Sequence, residues 1–487
     1  MRDVSLILDI GKSNTRLFLF DENLNIVYGT RANFPLVQGE AGLQFDDFES
    51  IFNWFLRQVK IIGDDREFCI RAINVCSFGA TIAHLDENGE QAFPLLAYTS
   101  IPPANLDEEF KAWMKSIPGG NKRLGTPVLS RFLNVAKQIF YLRKMQPEIA
   151  DRVRFSLFLP QYFIYRLTGV KVSEASCYGT HTCLWDFDMM APSYEVLDGL
   201  GWMEKMPKLN NPLNLSQLNP EFRKLFRTNK SLTVGAGVHD TAAALSAYWH
   251  STDEEFVLLS TGSWNIALNP FAEFVLSDRD LISGTRYYLT PHLQKVRASR
   301  LFAGREHELQ VERIDNYFGT QPVTPEKTLS EYLQKFFSNP SQGMLAAQTM
   351  AGTGPFPKIP AAEWDLSVFD SAEEAYARLC LDLAVLTAYC LENVNHNKVQ
   401  RYFIDGKFAQ NPWFVKILAM LLQPYELYTS DLQEASATGT AMAVHHFWAP
   451  EPDAVPKVTF CKIEVDHIAG LRVYAEWLLS YYSDLNG

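Results

Sequence analysis

Short apolar runs broken by small polar turns mark both halves of this chain. Near the start, Val4, Leu6 and Leu8 alternate with Ser5 and Ile7. A small polar stretch follows, DIGKSNTR over residues 9–16, and then Leu17 to Phe20 is apolar again. Gly11 permits a tight turn and Ser, Asn and Thr favour one, so the pattern predicts strand, turn, strand. About half a chain length later it recurs. Phe256 to Leu259 is apolar, residues 260–263 are Ser-Thr-Gly-Ser, and Trp264 to Leu268 is mostly apolar. Two such hairpins at equivalent places predict a duplicated two-domain architecture, with the boundary around residues 247–254.

Helical spacing fills the intervals. Phe48, Ile51, Phe52, Phe55, Leu56 and Val59 fall on one helical face after Asp46 and Asp47, whose charge suits a helix N-terminus. Residues 130–145 read as a helix that ends before Pro147, and Gln161 to Leu167 as a short one stopped by Gly169. Asn88-Gly89 marks a hairpin turn. Ser371 and Glu374 form a capping box ahead of an apolar face through Tyr376, Leu379, Leu383, Leu386 and Cys390. Residues 402–404 are a strand, a polar loop follows, and Asn411-Pro412 starts a helix through Leu422. Strands alternating with helices in both halves mean an α/β class. The stretch 270–365, punctuated by Pro and Gly, yields no placement.

Composition narrows the function. The 487 residues are 47% apolar and 21% charged, an ordinary globular balance. Forty-four Lys and Arg against 56 Asp and Glu give a net charge of −12, which argues against non-specific nucleic-acid binding and against docking on anionic lipid. No apolar run reaches the roughly eighteen residues a membrane span needs. Asp9 interrupts the N-terminal run, which reads as a strand rather than a signal peptide. Seven cysteines without a CxxC pair suit buried reduced thiols in a cytoplasmic protein. HExxH, GxGxxG and GxxxxGK[ST] are absent, which disfavours a zincin, a Rossmann dehydrogenase and a P-loop ATPase. No spacing suits Zn²⁺.

Three segments could grip a phosphate chain. Residues 9–16 supply a carboxylate, turn amides, hydroxyls and two cations, and Asp9 is a hard oxygen donor of the kind Mg²⁺ takes. Residues 260–263 form a second hydroxyl-rich turn. Residues 405–411 form a Gly-containing loop at a helix N-terminus, where free amides favour anions. A fourth segment, GAGVHDTAAA over residues 235–244, delivers His239-Asp240 to the start of a small-residue helix. Asp240 there either caps the helix or takes a proton from a substrate hydroxyl, as phosphoryl transfer requires.

As a set these segments resemble the FGGY family of carbohydrate kinases. DIGKSNTR resembles the family's N-terminal phosphate motif and QIFYLRKMQPE (138–148) its interior helix, with Tyr141 where Trp is usual and Gln138 where Lys is usual. LPQYFIYRLTG (159–169) with Glu174-Ala175-Ser176, GAGVHDTAAA, LLSTGSW (258–264), FIDGKFAQN (403–411) and ASATGTAMA (435–443) complete the match across nearly the whole chain. The resemblance implies two actin/hexokinase-like (ribonuclease H-like) ATPase domains, a sugar-side domain over 1–247 and an ATP-side domain over 248–487, with an interdomain active-site cleft. It implies ATP-dependent phosphorylation of a small sugar hydroxyl, on a ketose such as L-rhamnulose, L-fuculose or a pentulose, with ATP and Mg²⁺ as cofactors. Asp240 would be the general base and Asp9 would hold Mg²⁺. Ser13, Asn14 and Arg16 would face the phosphates, Thr261 and Gly262 would cradle them, and Gly406 with Asn411 would lie near the nucleoside. His239 would contact the sugar, as in the rhamnulose/fuculose kinase branch, and so would Ser77 and Gly79 of the turn at 76–81.

The departures are as informative. Lys12 stands where Thr or Ala is common, and Asp405 and Lys407 stand where the adenosine loop commonly has glycine. Residues 96–102, LAYTSIP, lack the aromatic–Asp–Arg sugar signature. An unusual or deoxy-sugar fits that change, since burying one methyl is worth roughly 1 kcal/mol. The departures also motivate another reading, a non-catalytic sugar- or nucleotide-binding homologue acting as a sensor; a third reading is an actin-like filament protein. The retained Asp9 and Asp240 favour the kinase. A small-molecule sugar is then the partner, nucleic acid and membrane are not, and a homodimer is the candidate assembly.

Overall fold

The computed structural model describes residues 1–209, 217–226, 232–273, 275–319, 329–356, 358–359, 362–449, 458–465 and 467–486. They form two compact units. The first comprises Met1–Asp253 with Tyr287–Lys295 and Leu432–Lys457; the second comprises Glu254–Arg286, Val296–Asp431 and Val458–Gly487. Among the described residues no helix is long and apolar enough to cross a membrane.

In the first unit, strands β1 (Arg2–Ile10), β2 (Thr15–Phe20) and β3 (Ile26–Ala32) are antiparallel neighbours. Strands β4 (Phe68–Ser77) and β5 (Thr233–Val234) extend the sheet in parallel, in the order β5-β4-β1-β2-β3, and β6 (Val238–His239) also pairs with β4. The alternation at Val4–Leu8 does not mark a half-exposed strand, because both faces of β1 are covered. Val4, Leu6, Leu8 and Ile10 pack against helices Phe48–Asp65 and Leu159–Thr168 through Phe52, Phe55 and Phe163. Ile7 faces the other way, onto Ala437, Ala441 and Val444 of helix Ala435–His445.

The second unit repeats this order. Strands β7 (Phe256–Thr261), β8 (Asn265–Asn269) and β9 (Lys295–Leu301) are antiparallel neighbours. Strands β10 (Arg401–Gly406) and β11 (Glu426–Ser430) add in parallel, and β12 (Phe460–Lys462) pairs antiparallel at the far edge. The path β9-β8-β7-β10-β11 matches β3-β2-β1-β4-β5, so each unit carries the α/β arrangement that the two hairpins pointed to. Val257 and Leu259 pack on the long helix Ala372–Val394 and on helix Pro412–Leu421.

Local signals hold with small shifts. Asp47 caps the first helix by accepting from the Ser50 amide at 3.0 Å. The helix expected over 130–145 starts at Val135, because Asn134 is committed to the preceding loop, with its Oδ1 accepting from the Leu129 amide. Ser371 caps its helix through the Glu374 amide, but the Glu374 carboxylate returns to the amide of Asp370 rather than to that of the cap. The box is therefore half formed.

Two helices of the first unit meet almost backbone to backbone. A Cβ on Gly439 would stand 1.8 Å from the carbonyl oxygen of Ala243. Helix Asp240–Trp249 is thereby wedged against helix Ala435–His445, and no side chain fits between them. Gly439→Ala should lower stability by about 1–3 kcal/mol through overpacking. Urea denaturation checks this, and an unchanged midpoint would show that the helices are not in contact there.

Candidate active site

Strand register in the first unit lines up the polar residues at one end of the parallel strands, where ligands of α/β sheets bind. Asp9 is paired across β1 and β2 with Arg16, and across β1 and β4 with Cys76. Ile10 is paired with Ser77, and Ser77 in turn with His239 on β6. Asp240 follows directly as the first residue of helix Asp240–Trp249. Six of the residues singled out in the sequence, Asp9, Arg16, Ser77, Gly79, His239 and Asp240, thus share this strand end. Ser13 and Asn14 are exposed at the tip of the β1–β2 turn.

The charges interlock. Arg16 Nη2 donates to Asp9 Oδ2 at 2.5 Å, while its Nη1 donates to Glu434. Burial raises the Asp9 carboxyl, Arg16 pulls it down, and the charge of Asp240 pushes it up again. Asp240 Oδ1 accepts from the Thr241 amide at 2.5 Å and from the Thr241 hydroxyl at 3.1 Å. Burial lifts Asp240 from 3.8 to about 6 against those bonds, although 27% of its side chain stays open. His239 is buried and held neutral, its pKa pushed down to about 3 by desolvation. Its Nε2 lies 3.5 Å from Asp240 Oδ1, and its Nδ1 has no hydrogen-bond partner among the described residues.

Gly79 is the floor beneath that imidazole: a Cβ there would sit 2.9 Å from His239 Nε2. The Ser77 hydroxyl is buried and donates to the carbonyl of Phe78 at 2.9 Å, so it already serves the turn.

A set of buried polar residues fixes the segment that carries His239 and Asp240. Asn74 Oδ1 accepts from the Gly237 amide at 3.1 Å. Gln161 Nε2 donates to the carbonyls of Ala236 and Gly237 at 3.1 and 2.9 Å. The Ser176 hydroxyl accepts from the His239 amide at 3.0 Å and donates to Glu174 at 2.5 Å. Glu434 and Asn74 are not marked by any local pattern in the sequence, and Gln161 entered only as part of the segment at 159–169. Glu174 and Ser176 lie in the Glu174-Ala175-Ser176 segment that entered through the family resemblance.

In the second unit, Thr261 and Gly406 are paired in register at the ends of β7 and β10. The backbones there nearly touch. Gly406 has φ +87, and a Cβ on it would meet the Thr261 carbonyl oxygen at 1.9 Å; a Cβ on Gly304 would meet the Gly262 carbonyl at 1.8 Å. The Thr261 hydroxyl donates to the Asp405 carbonyl and accepts from the Phe408 amide at 3.0 Å, so it clips the two loops together. Asn411 caps its helix as expected, accepting from the Phe414 amide at 3.1 Å, while its amide group donates to Tyr376 Oη at 2.9 Å. Lys407 reaches out to Glu308 at 2.7 Å.

No three metal-ligating side chains converge among the described residues. Mg²⁺ asks for less, since one or two carboxylates with phosphate oxygens and water suffice. Asp9, whose carboxyl is raised by desolvation and further by the neighbouring Asp240 charge, fits that donor set.

The chain is similar to known proteins. The profile described as the FGGY family of carbohydrate kinases, N-terminal domain, matches residues 4–246. The profile for the carbohydrate kinase FGGY C-terminal domain matches residues 253–452. An L-fuculokinase of Salmonella typhi is 23% identical over 272 residues, covering 55% of this chain and 56% of the relative. A rhamnulokinase of Halalkalibacterium halodurans is 24% identical over 274 residues, covering 54% of this chain and 55% of the relative. The chain therefore spans little more than half the length of these curated relatives. The crystal structure of a carbohydrate kinase from Novosphingobium aromaticivorans superposes with a TM-score of 0.79 at 23% identity, covering 100% of both chains. That likeness is one of fold.

The raised Asp240 pKa has a sign for stability. The protonated form is favoured by folding, so its contribution is full below the unfolded value of 3.8 and is lost as pH rises through about 6. Asn mimics the protonated acid. Asp240→Asn should therefore stabilise the protein at pH 7.5 by up to about 3 kcal/mol, with the gain vanishing below about pH 4. Thermal melts of both proteins across that range check it, and equal midpoints at pH 7.5 would contradict it.

Proposed function

Because the chain belongs to the FGGY family of carbohydrate kinases, we propose that it transfers the terminal phosphoryl group of ATP to a hydroxyl of a small ketose such as L-rhamnulose, L-fuculose or a pentulose. The observation that carries this reading is Asp240, a part-buried carboxylate at the strand end, 3.5 Å from His239 Nε2, its pKa lifted by desolvation to about 6. Such a carboxylate is largely ionised at neutral pH, yet it is a stronger base than an ordinary aspartate. It takes the proton of the attacking sugar hydroxyl as the new O–P bond forms. His239, kept neutral by burial, offers a ring nitrogen to a neighbouring sugar oxygen. Ser77 and Gly79 shape that pocket.

We place the sugar side in 1–247 and the ATP side in 248–487, save that Tyr287–Lys295 and Leu432–Lys457 belong to the first compact unit. Arg16, with Ser13 and Asn14, meets the transferring phosphate. The close-packed turn at Thr261 and Gly262 cradles the remaining phosphates, and Gly406 with Asn411 lies toward the nucleoside. Mg²⁺, held on the protein side by Asp9, would supply charge neutralisation of the phosphate oxygens. Arg16 then keeps Glu434 as its second carboxylate partner. The fuculokinase and rhamnulokinase relatives support a deoxy-ketose as acceptor.

A coupled ADP-release assay with Mg-ATP against ketoses, aldoses and polyols tests the reading. Saturable, sugar-dependent ADP release is expected. ATP binding without release on any sugar would turn the assignment to a sensor. Asp240→Asn should lower turnover by roughly 10²–10⁴-fold while leaving ATP binding in place. In the wild-type protein kcat/KM for the sugar should fall on the acid side with a midpoint near 6, because the base must be ionised. A profile flat down to pH 5, or near-normal turnover of the Asn variant, would remove Asp240 from the role of base.

A further inference from the structure

Lys12 belongs to the β1–β2 turn, and its ammonium is placed with more care than a turn lysine needs. Nζ lies 2.5 Å from Asp46 Oδ1, and 4.9 Å from the ring centroids of both Phe78 and Tyr98. The two rings stand edge to face, 5.8 Å apart. Side-chain exposure is 16% for Lys12 and 11% for Asp46. The clamp adjoins the strand end that carries Asp240. Phe78 lies between Ser77, which is paired in register with His239, and Gly79, the floor of the His239 ring. The Phe78 amide donates to the Ile10 carbonyl at 3.2 Å, which ties this turn to the end of β1.

An ammonium has three donors. Asp46 takes one, and no other acceptor among the described residues takes a hydrogen bond from Lys12. The two aromatic faces stabilise the cation without using a donor. The Lys12 charge is nevertheless already matched by Asp46. Lys12 and Arg16 face Asp9, Asp46, Asp240 and Glu434 at this strand end, an excess of two negative charges.

We infer that Lys12, held in place by Asp46 between Phe78 and Tyr98, donates to an oxygen of the acceptor other than the one that loses its proton, and that the Lys12–Asp46 pair restricts the acceptor to uncharged sugars. The inference rests on the kinase reading for the direction of transfer and deepens it by naming the acceptor class. A neutral polyhydroxyl compound fills the free donors at no cost in charge. An aldonate brings a carboxylate to a cation that is already paired, within an acidic surrounding, and is rejected.

The test compares neutral ketoses and polyols with aldonates of matching length, by steady-state kinetics with Mg-ATP and by calorimetry of the sugar alone. Wild-type protein should bind and phosphorylate a neutral sugar and exclude the aldonate. Lys12→Met should raise the KM and Kd of the neutral sugar by about tenfold or more, the scale of a lost charged hydrogen bond, with the KM for Mg-ATP unchanged. Asp46→Asn, which leaves the cation unpaired, should raise the aldonate-to-neutral ratio of kcat/KM, and of affinity, at least tenfold. Removing one partner of a buried pair can unfold a protein. The double variant Lys12→Met/Asp46→Asn therefore serves as a folded control, and it should match Lys12→Met alone. Unchanged sugar affinity in folded Lys12 variants would overturn the inference, as would a change confined to the KM for Mg-ATP. Sugar binding that shows these shifts without any ADP release would sink the kinase reading and leave this one standing. A wild-type protein that binds no neutral sugar would overturn both.

Discussion

Holding a carboxylate partly away from water at the end of parallel strands is the constraint around which the first unit is built. Asp240 keeps its charge only through the Thr241 amide and hydroxyl and through the distant pull of Arg16. Everything that could move it is locked. Asn74 and Gln161 fix the backbone at 236–237, Ser176 and Glu174 fix the His239 amide, and Gly439 brings a neighbouring helix against Ala243. Desolvation is what gives the carboxylate its basicity, and the same desolvation weakens the fold at neutral pH. Such a trade is expected of an active site, where a strained or destabilised group is retained for its chemistry.

The two units spend their glycines on the same problem. In the first, glycine lets a helix approach the one that carries Asp240. In the second, Gly304 and Gly406 let three backbone segments meet around Thr261 and Gly262. The consequence is rigidity supplied by the main chain, so the side chains nearby are released for other tasks or recruited as clips. The Thr261 hydroxyl is recruited: it joins Asp405 to Phe408. Lys407, one of the departures from the common loop, is drawn to Glu308.

How far the sequence could be read follows from the range of each interaction. Hairpins, the Asp47 and Asn411 caps and the Gly169 stop depend on neighbours within a few residues, and they stand where the pattern put them. The duplicated strand order follows from the two similar hairpins. Long-range partners were silent. Glu434 meets Arg16 across 418 positions of chain, Asn74 reaches Thr440 across 366, and no local pattern announces either. The alternation at Val4–Leu8 marked a strand, but a period of two cannot show that a second layer, the Ala435–His445 helix, covers the Ile7 side. Lys12 was visible only as a departure; its meaning lies in Asp46, Phe78 and Tyr98, which the turn alone does not display. His239-Asp240 was the most legible part of the candidate site, since both residues sit in one segment.

The titration of one carboxyl group decides whether Asp240 is a tuned base or an ordinary aspartate. Carbon-13 NMR of protein labelled at the aspartate side-chain carboxyls, compared with Asp240→Asn to assign the signal, would follow it directly. One resonance with a midpoint near 6, absent from the variant, is the result this account predicts. An Asp240 signal that titrates near the ordinary aspartate value of about 4 would contradict it, because a solvated carboxylate of that kind is neither held at a cost to the fold nor tuned as a base.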